Sequence, residues 1–102
     1  MKCSYYLVSN GVVVRADFDA EPRSSGEIID EFLRQGVSAP GSVYACFGLP
    51  GGVHAWCRVG LGIGGPMNDD VSEDAVPAII RGKHQADVDS GAGAFGHPTP
   101  TK

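Results

Sequence analysis

CSYYLVSNGVVVRADF, Cys3 to Phe18, decides how this chain begins to fold. Asn10-Gly11 lies between two runs rich in β-branched and aromatic residues. A two-residue type I′ turn needs positive φ at both central positions, which Asn tolerates and Gly adopts freely. A loop of that length also sets the register of the strands it joins. Ser9 then faces Val12, Leu7 faces Val14, Tyr5 faces Ala16 and Cys3 faces Phe18. That side is mostly apolar and belongs against a core. The other side pairs Val8 with Val13, Tyr6 with Arg15 and Ser4 with Asp17, and is more polar.

A linker, DAEPRS at 19–24, leads into a helix. Ser24 and Glu27 have the S-x-x-E spacing of a capping box, which satisfies orphan amides of a first turn. Ile28, Ile29, Phe32 and Leu33 recur at helical spacing and make one apolar stripe for the sheet. Arg34 is within reach of Asp30 at i,i+4, and Gly36 suits the C′ position. The helix is expected over about 25–35.

SVYACFG at 42–48 and VHAWCRVG at 53–60 read as two further strands, joined through LPGG with Pro50-Gly51 as the turn pair. In the second, Val53, Ala55, Cys57 and Val59 alternate with His54, Trp56 and Arg58, so the first set faces the core. Residues 60–74, GLGIGGPMNDDVSED, read as a long glycine-rich and then acidic loop. A short helix is expected over about 75–81, with Pro77 in its first turn. The expectation is an α+β fold, ββαββ: a four-stranded, mainly antiparallel sheet with one main helix on a face and a short C-terminal helix. Residues 1–82 form the single compact domain and 83–102 a polar tail, held if at all through Phe95.

With 102 residues there is room for one core, and 42% hydrophobic content is too apolar for wholesale disorder. No run approaches the roughly 18 apolar residues of a membrane span. MKCSYYLVSNG lacks a signal-peptide core, so a cytoplasmic setting is expected. Cys3, Cys46 and Cys57, an odd number, are then read as free, largely buried thiols. A net charge of −4 disfavours direct binding to nucleic-acid phosphates.

Several motifs have a formal claim to chemistry. Gly60 to Gly65 satisfies G-x-G-x-x-G, but Pro66 and four carboxylates follow where a phosphate-binding helix would have to start. Asp69, Asp70, Glu73 and Asp74 do not have calcium-loop spacing; they suit a solvated loop or a partner contact, with Asn68 or Ser72 capping the next helix. Cys46, His54 and Cys57 fall short of the four ligands of a structural zinc site. Cys46 and His54 share the outer face, a Cys–His pair without a third group to orient it. No catalytic residue, cofactor or metal is assigned.

The outer face of the sheet remains: Tyr6, Arg15, Tyr44, His54, Trp56 and Arg58. Trp, Tyr and Arg supply most interface hot spots, although cross-strand packing beneath a second helix explains the same residues. With the acidic residues 69, 70, 73 and 74, this face leads to a non-enzymatic module that docks on a protein partner. One form is a phage-type inhibitor of a host defence complex, its carboxylates occupying a basic nucleic-acid groove. The alternative is a small-ligand binder or minor enzyme with a pocket beside residues 60–74, and the third reading is a homodimer formed through an edge strand or the sheet face.

Overall fold

The computed structural model describes residues 3–37, 42–48 and 54–90. The expected turn at Pro50-Gly51 and the Phe95 anchor lie outside the described residues. The elements follow as β1 (Cys3–Ser9), β2 (Val12–Phe18), α1 (Ser25–Arg34), β3 (Val43–Gly48), β4 (His54–Gly62), β5 (Gly65–Val71) and α2 (Ala78–Asp89). The strands form one antiparallel sheet in the order β2-β1-β3-β4-β5. The fold is therefore α+β, with a helix packed on each face of the sheet.

The first hairpin has the register its turn demands, from Ser9 opposite Val12 to Cys3 opposite Phe18. Asn10 and Gly11 have φ of 53° and 77°, as a type I′ turn needs. Tyr5, Leu7 and Ala16 from this hairpin meet Val43, Ala45 and Val59 from the next strands. Ile28 and Phe32 of α1 close that core. Ser24 caps α1 by accepting from the Glu27 amide at 3.3 Å. The Glu27 carboxylate reaches the Arg23 amide, one residue earlier than the reciprocal bond of a capping box. At the other end the Gly36 amide donates to the Leu33 carbonyl and the Val37 amide to the Phe32 carbonyl. That is the Schellman pattern, with Gly36 at φ 92° and Val37 folded back onto the core beside Phe32. Arg34 pairs with Glu31 at 2.6 Å, not with Asp30 as the i,i+4 spacing suggested.

Two expectations need correction. Residues 60–74 are not a long loop. β4 continues to Gly62, the chain turns at Ile63-Gly64, and 65–71 return as β5, a fifth strand. Gly65, at φ 106°, absorbs the reversal where a side chain would be strained. GPMNDDV has poor strand propensity, but it lies at an edge, where Pro and charged residues discourage further pairing.

The C-terminal helix is displaced and lengthened. A 3-10 turn occupies Glu73–Ala75, and α2 begins after Pro77 and runs to Asp89, not over 75–81. Residues 83–89, expected to be tail, are therefore helical; residues 91–102 lie outside the described residues. Neither expected cap serves α2. Asn68 is in β5, and Ser72 precedes the 3-10 turn without a side-chain capping bond.

The second face of the sheet is covered by a second helix, the packing that the sequence allowed for the outer-face residues. Val76 and Ile80 pack with Tyr6, Cys46 and Trp56 in a second core.

Candidate functional site

Strand pairing aligns the outer-face residues in rows. Arg15, Tyr6, Tyr44, Arg58 and Asp69 lie abreast across all five strands. The next row runs Asp17, Ser4, Cys46, Trp56 and Val71. α2 crosses this face with Ile80, His84 and Asp87 turned inward.

His84 is the centre of the covered region. Its Nδ1 is 2.9 Å from the Tyr6 hydroxyl and its Nε2 is 3.8 Å from the Cys46 Sγ. Its ring also meets the Trp56 indole edge-on, centroids 5.3 Å apart. A neutral imidazole has one donor and one acceptor, and either tautomer serves a hydroxyl and a thiol together. Beyond it Asp87 lies 2.7 Å from Arg15 and 3.2 Å from Lys83. The Arg15–Asp87 contact is ionic, since the two facing atoms are not aligned as a hydrogen bond.

The residues expected at a partner interface therefore differ in burial. Tyr6 is wholly buried and Trp56 is 8% exposed, so neither belongs to an open face; α2 covers both. Arg15 and Tyr44 are half-buried. Arg58, Asp69, Asp70, Glu73 and Asp74 are exposed. His54 begins β4 opposite Gly48, at the far end of the strand from Arg58. Cys46 meets His84. His84 was missed because it follows Gly82 and Lys83 in a polar stretch. Its signal was the spacing of Ile80, His84, Asp87 and Val88, which is helical only if a histidine and an aspartate count as inward residues.

The thiols are held in their protonated form. Burial, then nearby Cys57 and Glu73, pushes Cys46 up to about 12. Burial, then the Asp70 side chain accepting from Cys57 Sγ at 3.6 Å, pushes Cys57 up to about 11. The arrangement lacks the lowered thiol pKa that nucleophilic attack requires. The native thiols are expected to react with a disulfide reagent about a hundredfold or more slower than free cysteine near neutral pH. Labelling at the free-cysteine rate contradicts this. Linkage has a definite sign: both states keep these protons below about pH 9, and above it only the unfolded chain releases them. Stability should therefore fall as pH rises from about 9 towards 12, measurable as a falling urea midpoint.

A cleft of about 460 Å³ opens beside α2, with Trp56 and His84 at its base and Glu73, Arg81, Gln85 and Val88 in its walls. Along the β5 edge the surface is acidic. Glu21 accepts from the Asn68 side chain at 3.0 Å, which brings it beside Asp69 and Asp70. Glu73 and Asp74 continue the line, and none of the five carboxylates has an ion-pair partner among the described residues. Among the described residues no group of three His, Cys, Asp or Glu is placed to hold a metal, and no helix is long and apolar enough to cross a membrane. Comparison with protein-family models, curated proteins and solved structures finds no match for this chain.

Proposed function

We propose that the protein is a non-enzymatic binding module that docks on a partner protein through the β5 edge of its sheet. The observation that carries this reading is the line of exposed carboxylates along one edge, Glu21, Asp69, Asp70, Glu73 and Asp74, none with an ion-pair partner among the described residues. Ile63 and Met67 stand exposed on the same hairpin and supply apolar contact beside the charge. A basic groove on a protein is the complementary surface, and occupying it would make the module an inhibitor of whatever polyanion that groove serves. Three reduced, buried thiols suit a cytoplasmic setting.

The test uses the wild-type protein and a D69K/D70K/E73K variant as paired baits. A partner held by the wild type should bind the variant at least about tenfold more weakly and should release as salt rises, because such charges act chiefly on association. If the wild type retains nothing that the charge-reversed bait does not, the reading fails.

A second reading, small-ligand binding, is favoured by the cleft over Trp56 and His84. Native mass spectrometry of the purified chain separates the two: retained mass beyond the chain supports the cleft.

A further inference from the structure

β2 forms the other edge of the sheet, and among the described residues no strand lies on its outer side. The hairpin turn determines which of its backbone groups look outward. In a two-residue loop the Ser9 carbonyl receives the Val12 amide, and hydrogen-bonded pairs alternate along the ladder from there. Val12, Val14 and Ala16 are thereby turned towards β1, while Val13, Arg15 and Asp17 direct their amides and carbonyls away from it. One contact confirms the phase: the Arg15 carbonyl accepts from the Gln35 side-chain amide, at 2.8 Å, on the side away from β1.

We propose that β2 pairs antiparallel with β2 of a second copy, with Ala16 on the two-fold axis. Outward-facing residues must meet outward-facing residues, which leaves three central registers. One sets Val13 against the partner's Arg15. Another brings the two Arg15 guanidiniums together on the axis. The third places Arg15 opposite the partner's Asp17 twice, and Val14 opposite the partner's Phe18 twice. Only this register is complementary on both faces of the sheet: opposite charges meet on the α2 side, and the half-buried Val14 and Phe18 gain apolar neighbours on the α1 side. Within each copy Arg15 and Lys83 already offset Asp17 and Asp87, so the meeting clusters carry no net charge.

Gln35 occupies the outer carbonyl of the lone chain and must swing aside when the partner's Asp17 amide arrives. It is exposed and free to do so. The pairing is independent of the β5 edge, so its failure leaves the proposed function standing, and the reverse holds as well.

Sedimentation equilibrium over a concentration series tests the proposal. The wild-type mass should move reversibly from monomer to dimer. Q35A, which frees the edge, should tighten the dimer about threefold. D17R sets two like-charge pairs across the axis and should weaken it about tenfold. Under mild oxidation A16C should form a disulfide across the axis, because facing residues of a non-hydrogen-bonded pair lie within disulfide reach, and V14C should not. Should A16C fail to fold, the exposed positions 35 and 17 decide alone. A monomer at every concentration up to about 1 mM, even for Q35A, overturns the proposal. So does a dimer indifferent to D17R, or one cross-linked by V14C.

Discussion

Trp56→Ala is expected to lower the unfolding free energy by about 3–5 kcal/mol, the usual cost of removing a large aromatic ring from a core. Trp56 is 8% exposed and fills the space between the sheet and α2. Its ring lies 5.9 Å from that of Tyr6 and 5.3 Å from that of His84. α2 turns only Ile80, His84 and Asp87 fully inward, so it has few other apolar contacts with which to stay seated. Against a domain stability of about 5–15 kcal/mol the loss is large. Urea unfolding followed by far-ultraviolet circular dichroism measures it; fluorescence will not serve, because the substitution removes the chain's one tryptophan. Trp56→Phe keeps most of the ring and should cost clearly less. An unchanged urea midpoint for Trp56→Ala would mean that the indole is not under the helix and would return it to the surface as a contact residue.

Phe32→Ala should cost a similar amount, about 3–5 kcal/mol, on the opposite face. Phe32 is wholly buried among Ile28, Leu7, Val37 and Ala45. Its carbonyl also accepts the Val37 amide that ends α1, so the side chain and the helix stop are anchored together. Leu33, the adjacent member of the same sequence stripe, is 47% exposed, and Leu33→Ala should change stability by only about 0.5 kcal/mol. The contrast is diagnostic because adjacent helical residues project about 100° apart. Equal losses from the two substitutions would mean that α1 is rotated from the orientation described.

Legibility differed sharply between the two halves of the chain. Asn10-Gly11 allowed one register, and all of its strand pairs are found. Ser24 and Gly36 bracketed α1 by local capping chemistry, which acts within a few residues. β5 was hidden because Pro66, Asn68, Asp69 and Asp70 are tolerated in a strand only at a sheet edge, and an edge is a property of the whole sheet. α2 was hidden because its inward stripe includes His84 and Asp87. Those residues are inward only because Tyr6, Cys46 and Arg15 receive them from strands far away in sequence. The candidate site was legible to the same degree. The face of Tyr6, Tyr44, Trp56 and Arg58 was read correctly as one side of the sheet, but strand alternation is silent on what lies above that side.

The sequence by itself therefore determined the elements whose causes are local: the turn, the caps, the register of the first hairpin and the two faces of each strand. Only the tertiary structure decided that α2 lies across Tyr6 and Trp56, which removes them from the surface and leaves the acidic β5 edge as the candidate contact. The physical reason is one of range. Turn dihedrals and capping bonds are settled between near neighbours, whereas the burial of a polar helix depends on distant partners that can satisfy its histidine and its aspartate at once.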